Sequence, residues 1–262
     1  MPLTPFQAGV VRLLAANRSP DSYLAGGSAL HFEPQTKRMS NDLDFFHDSE
    51  ERVAQAFAAD AATLAAQGYR VTTELSQPGY VRASVSKGED ITKIEWARDS
   101  SWRFMPAQRN EAAGYILHPV DLATNKVLAL AGRDEARDFL DVLYAHEEIL
   151  PLGALIWAAC GKDPGFTPHS LLELLKRRGK YRPEDFSRLH LALPVDIVTV
   201  KRQWREALED AEDFVNSRPQ DEIGCLYFAP DRGVFVAPRG GEKEKIMPHH
   251  GRPGGVLPRL KG

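Results

Sequence analysis

The sequence predicts an α+β fold: a mixed, largely antiparallel sheet with flanking helices, followed by a mainly helical C-terminal part. Three observations carry that prediction. Three β-like runs at 69–75, 80–85 and 91–96 are separated by the turn signals Gln77-Pro78-Gly79 and Lys87-Gly88-Glu89-Asp90, which describes a meander. Upstream of the meander, short strand-like and helical patterns interleave. From Pro119 onward the apolar spacing changes to a helical period.

In chain order, residues 4–17 read as a helix with Phe6, Val10, Val11 and Leu14 on one stripe. Thr4 is placed as its N-cap and Pro5 at its first position. Tyr23-Leu24-Ala25 reads as a strand running into Gly26-Gly27, and residues 28–32 open a second helix that Pro34 ends. A strand over 42–46 follows, then an alanine-rich helix over 50–66 stopped by Gly68. Beyond the meander, helices are expected over 121–131, 135–146, 152–159, 169–176 and 197–215. The boundary falls within 100–119, giving an α/β core over 1–110 and a helical domain over 111–239. The runs 225–228 and 234–236 flank Pro230-Asp231-Arg232-Gly233 and suggest a terminal hairpin. Residues 240–262, rich in Gly, Pro and Lys/Arg, read as a disordered basic tail in which His249 and His250 are merely solvated.

Composition narrows the setting. The chain has 262 residues, 43% of them hydrophobic and 26% charged, enough for a real core in a soluble protein. A net charge of -3 gives no global basic field for nucleic acid, although local patches can still serve. Cys160 and Cys225 are far apart and form no CxxC pair, which argues for a reducing compartment and against a disulfide framework or zinc knuckle. The start of the chain has no signal-peptide character, and the most apolar run, 149–160, is broken by Pro151 and too short for a bilayer. The expectation is a cytoplasmic protein without membrane contact.

The chemistry concentrates in Gly26-Gly27-Ser28 and in Asp42 and Asp44. Side chains two apart on a strand share a face, so the two carboxylates point together while Leu43 and Phe45 turn inward. Like charges so placed repel unless a proton or a cation intervenes. A hard divalent ion such as Mg²⁺, or Mn²⁺, satisfies both and is commonly shared with phosphates. The glycine turn ahead of a helix offers backbone N–H groups to an anion. Ser28 is either a helix cap or a phosphate ligand, and Lys37 and Arg38 either touch phosphate or form a charged loop. Glu95 in Lys93-Ile94-Glu95-Trp96 is the candidate third carboxylate, with Asp90 and Asp99 as substitutes. Three carboxylates can hold two ions about 3.5–4 Å apart. The basic run 176–182 is read equally as an RNA-backbone contact or as favourable charge at a helix end.

The ordered set Gly-Gly-Ser, then Arg38-x-Ser40-x-Asp42-Leu43-Asp44-Phe45, Lys93-Ile94-Glu95, Asp121 to Lys126 and Arg133, and Arg137-Asp138-Phe139-Leu140-Asp141 resembles the AbiEii/AbiGii toxin family. That family is a branch of the DNA polymerase β-type nucleotidyltransferases. The resemblance covers residues from about 23 to 144. It implies a nucleotidyltransferase-like core that moves an NMP from an NTP to an acceptor, RNA or tRNA first among them, and releases pyrophosphate. It also implies the toxin half of a bacterial abortive-infection pair, with a cognate antitoxin. Asp42, Asp44 and Glu95 would hold metal. Gly26, Gly27, Ser28, Arg38, Ser40 and Lys126 would hold the nucleotide. Lys126, in an otherwise apolar helix, either snorkels outward or faces a buried anion. Asp138 and Asp141 share a helix face and would orient Lys126, serve as a base, or form a local salt-bridge network, with Arg137 pairing to either. Two alternatives stay open: an aminoglycoside-type enzyme acting on a small molecule, and a nucleotide-binding module without turnover.

Overall fold

The computed structural model describes residues 3–32, 40, 42–187, 189, 191, 194–238 and 245–258. Thr4 caps α1 (Pro5–Leu14) through reciprocal hydrogen bonds with Gln7. There follow β1 (Ser22–Ala25), α2 (Gly26–Leu30), β2 (Asp42–His47), α3 (Glu50–Ala66), β3 (Arg70–Gln77), β4 (Tyr80–Lys87) and β5 (Asp90–Arg98). Short strands β6 (Trp102–Arg103), β7 (Gln108–Asn110) and β8 (Gly114–Ile116) lead to α4 (Pro119–Arg133), α5 (Ala136–Glu148) and α6 (Leu152–Lys162). Then come α7 (Pro168–Leu175), α8 (Pro183–Ser187) and α9 (Ile197–Ser217), and the described chain closes with β9 (Cys225–Ala229), β10 (Val234–Val236), β11 (Met247–His250) and β12 (Arg252–Pro253).

Seven strands form one mixed sheet in the order β3-β4-β5-β2-β1-β8-β7. The meander is antiparallel, whereas β2 runs parallel to β5 and β1 parallel to β8. The pairing of β2 with β5 sets Asp44 opposite Glu95 and Asp42 opposite Lys93. Alternation then sorts the faces: Leu43, Phe45, Ile94 and Trp96 are fully buried on one side. Helices α1 and α3 cover that side, and Phe57 of α3 meets the Trp96 ring edge-on at 5.1 Å. The acids leave on the other side, where α4, α5 and α6 stand. A second core joins α4–α7, α9 and β9 around Trp157, Leu155 and Phe139.

A buried ion pair supports the sheet from behind. Arg18 Nη2 lies 2.5 and 2.6 Å from the two oxygens of Asp60, which also accepts from Trp96 Nε1 at 2.7 Å and Asn17 Nδ2 at 2.8 Å. The Arg18 guanidinium sits 4.4 Å from the centre of the Phe45 ring. Strands β2 and β5 are thereby tied to α3 through one carboxylate. Asp121 of α4 makes a comparable tie by accepting from the backbone N–H groups of Phe104 and Met105.

The change from sheet to helices lies between β8 and α4, within the 100–119 segment. One expectation needs correction. Residues 240–262, read as a disordered tail, include two strands. β11 pairs with β9 and β12 pairs with β6. Strand β9 is buried along its whole length and needs neighbours on both edges, and β10 and β11 supply them. His249 is buried, with Nε2 2.9 Å from the Phe104 carbonyl, and burial lowers its pKa. Two of the glycines that suggested disorder mark close approaches: a Cβ on Gly251 would stand 2.5 Å from the Trp102 ring, and one on Gly255 would meet the Met105 backbone. Positions 239–244 and 259–262 lie outside the described residues.

Asp60→Ala would leave Arg18 buried without its partner and cost about 3–5 kcal/mol. Urea unfolding followed by tryptophan fluorescence measures this, and a loss under about 1 kcal/mol would show the pair to be dispensable.

Candidate active site

The site begins where β1 ends. Ala25 pairs with Asp44, and the chain turns at Gly26 with φ +61°. A Cβ there would stand 1.9 Å from Asp44 Oδ2, so only glycine lets α2 begin beside that carboxylate. Ser28, expected to cap a helix or bind phosphate, does not cap α2, which begins after Ala25 with no side-chain cap. Its hydroxyl is buried, donates to the Ala25 carbonyl at 3.0 Å and accepts from the Asp44 N–H at 3.4 Å. The serine braces the turn against the acidic strand.

Gly26, Gly27, Ser40, Asp42, Asp44, Glu95 and Lys126 all line one cleft of about 660 Å³. Ser40 donates its hydroxyl to the Asp42 carbonyl at 2.8 Å. Lys37 and Arg38 lie outside the described residues. Among the three candidates for the third acid, register selects Glu95, whose carboxylate is 3.8 Å from Arg82 Nε. Asp99 lines the cleft just past the end of β5 and pairs with Lys162 at 3.0 Å, while Asp90 is exposed where β5 begins.

Lys126 does not snorkel. Its Nζ is buried, 3.2 Å from Asp138 Oδ1 and 2.8 Å from Asp141 Oδ2. Arg133 closes on Asp138 with Nε 2.6 Å from Oδ2, and His31 Nε2 lies 2.8 Å from Asp141 Oδ1. Both acids therefore fix the lysine. Burial works against the charge of Asp138, but Arg133 and Lys126 outweigh it and hold the carboxyl below its usual range. Arg137, expected to pair with one of these acids, instead has Nε 2.6 Å from Glu135 and lines the cleft.

The strand acids behave oppositely. Burial, reinforced by Glu95, raises the pKa of Asp42. Asp44 rises to about 6, again through burial first; Lys126 opposes the shift, and Glu95 and Asp42 add to it. This strain is what a divalent cation relieves, and the donors are all hard carboxylate oxygens. Among the described residues, no three or more His, Cys, Asp or Glu side chains already stand grouped as a metal cage. Asp42 and Asp44 form the fixed part, and Glu95 is shared with Arg82.

Sequence reasoning assigned no role to His31, Asn125 or Lys162, because each acts across the fold on partners distant in sequence; Arg133 stood in the family pattern without a role, although its partner Asp138 is only five residues away. The basic run near 176–182 is partly consumed internally. Lys176 pairs with Glu173 and Glu212, while Arg178 and Tyr181 both bind Asp134, the left-handed residue that ends α4.

The family model of the nucleotidyl transferase AbiEii toxin of type IV toxin–antitoxin systems matches residues 11–224. Among solved structures, the chain resembles MenT4, a nucleotidyltransferase toxin from Mycobacterium tuberculosis. The TM-score is 0.55 at 17% identity, over 82% of this chain and 83% of that one. JHP933 from Helicobacter pylori aligns at TM-score 0.42 and 16% identity over 81% of this chain and 92% of that one. Comparison with curated proteins finds no match.

Two outcomes follow from the raised carboxyls. In the metal-free protein Asp44 takes its proton near pH 6, above the ordinary 3.8, so native chains hold a proton that unfolded chains release in that window. Stability from this group falls as pH rises from 3.8 to about 6, while affinity for a divalent cation rises through the same window. Calorimetric Mn²⁺ titrations at about pH 5 and about pH 7 should differ by roughly tenfold or more; equal affinities would remove Asp44 from the ligand set. Gly26→Ala should weaken the same titration, because the new Cβ displaces Asp44.

Proposed function

The chain belongs to the AbiEii nucleotidyl transferase toxin family, and from that premise we propose that this cleft transfers an NMP from an NTP to an RNA acceptor. The observation that carries the reading is the register of β2 and β5, which sets Asp42, Asp44 and Glu95 on one face opposite Lys126. The protein is an NTP-using nucleotidyltransferase; the roles below are inferred from where its residues stand.

Asp42, Asp44 and Glu95 would hold Mg²⁺, which when bound neutralises phosphate charge and lowers the pKa of an attacking hydroxyl. Gly26 and Gly27 present backbone beside Asp44 without side chains in the way, so the phosphates can approach the strand closely. Lys126, fixed by Asp138 and Asp141, offers a preorganised positive charge to the phosphates, and such fixed charge costs no reorganisation during reaction. Chemically, the acceptor oxygen bonds to the α-phosphorus, and the bond between that phosphorus and the bridging oxygen to the β-phosphate breaks. Pyrophosphate leaves with its electron pair. The acceptor proton passes to a carboxylate, and Asp42 and Glu95 both reach from the cleft into a second groove with Arg82, Ser84 and Lys93, open along the sheet face.

Among the described residues, the cleft is lined by five basic side chains, Arg82, Lys126, Arg133, Arg137 and Lys162, against four acids. A polycationic acceptor of the aminoglycoside type is poorly matched to that lining, and an RNA end is matched better. The cognate antitoxin, a role in phage defence and a cytoplasmic location complete the proposal by family membership.

Incubation of the protein with each α-³²P-NTP, total RNA and Mg²⁺ should label an RNA band. Asp44→Ala should reduce labelling by roughly 10²-fold or more without loss of fold. Undiminished labelling by folded Asp44→Ala would remove the strand acids from the chemistry. Pyrophosphate release without labelled RNA would redirect the search to other acceptors.

A further inference from the structure

The far end of the cleft is built for something other than phosphate. Just past the end of β5, Asp99 stands four residues beyond Glu95, roughly 13 Å farther for extended chain, and lines the same cleft. Asn125 and Lys162 converge on it. Asp99 Oδ1 accepts from the Ser100 N–H at 2.8 Å, and Oδ2 accepts from Lys162 Nζ at 3.0 Å and from Asn125 Nδ2 at 3.4 Å. A carboxylate only accepts, so the Asn125 amide must keep its NH₂ toward Asp99 and turn its oxygen away. That oxygen is buried and, among the described residues, has no hydrogen-bond partner. A buried acceptor left unpaired is costly, and one on a cleft-lining side chain is a natural place for a ligand's donor.

We propose that Asn125, locked by Asp99 and Lys162, is the acceptor that grips the nucleoside half of the bound NTP. The inference rests on the nucleotidyl-transfer reading and adds the orientation of the substrate. A triphosphate at neutral pH offers no donor and carries negative charge, so it gains nothing from Asn125 Oδ1 or from Asp99. The nucleoside offers ribose hydroxyls and base N–H groups, and either satisfies the amide oxygen. Asn125 and Lys126 are consecutive on α4, so one helix would hold phosphates with one side chain and the nucleoside with the next. The phosphates then lie toward Gly26 and Gly27, and the nucleoside lies toward Asp99 and Lys162.

The test is calorimetric binding, with Mg²⁺ and no acceptor, of the four NTPs, their 2′-deoxy forms and inorganic tripolyphosphate. Wild type is compared with Asn125→Leu, and with Asn125→Ala should the first variant fold poorly. Loss of the amide should weaken the preferred NTP about tenfold and leave tripolyphosphate unchanged. If the gap between ribo and deoxy forms closes, the donor is a ribose hydroxyl; if the gap between bases closes, it is a base N–H. NTP affinity within about twofold of wild type, or an equal loss for tripolyphosphate, overturns the inference. Wild type that binds none of these ligands would sink the nucleotidyl-transfer reading itself, and this inference with it.

Discussion

The structure is organised around an electrostatic difficulty: three carboxylates on two adjacent strands, held in register by parallel pairing of β2 and β5. Desolvation first, and then repulsion from Glu95 and Asp42, drive Asp44 to about 6 against the pull of Lys126. Much of the surroundings answers that difficulty. Gly26 leaves space for the Asp44 side chain, and Ser28 fixes the turn to its backbone. Lys126 supplies the nearest compensating charge, and Asp138, Asp141, Arg133 and His31 hold that lysine in place. Removing one member of such a set leaves another buried charge exposed to its neighbours, so the elements act as a unit.

The opposite face of the sheet does the mechanical work. The apolar residues that alternate with the acids pack on α1 and α3, and Asp60 ties Arg18 and Trp96 across the sheet. Sites carried by strands and helices hold their geometry better than sites on loops. Here each acid is one residue away from a fully buried anchor: Leu43 and Phe45 flank Asp44, and Ile94 and Trp96 flank Glu95.

Local information made much of this legible in the sequence. The meander, the Asp-x-Asp strand and the helix from Thr4 each combine a cap or turn signal with a clean apolar period, and those signals do not depend on distant residues. Asp138 and Asp141 are singled out by the family resemblance, and helical spacing then puts them on one face. What stayed hidden depends on contacts far apart in the chain. Nothing near His31 announces Asp141, and nothing near Lys162 announces Asp99. The C-terminal strands failed for the same reason. Composition reported glycine, proline and charge, whereas the fold uses those glycines to press backbone against Trp102 and Met105.

The return of the C-terminal segment gives assembly of the protein a direction in time. Strand β12 pairs with β6 about 150 positions earlier in the chain, and Gly224, just before β9, presses on Gly161 beside Lys162. A ribosome releases the strands with the acids first, then α4 and α6, and only much later the strands that brace the end of α6. A nascent chain therefore carries its acids well before the wall around Lys162 can be secured. The wall around Lys162 is thus the last part of the cleft to be completed as the chain is made, although the acids it faces are among the first.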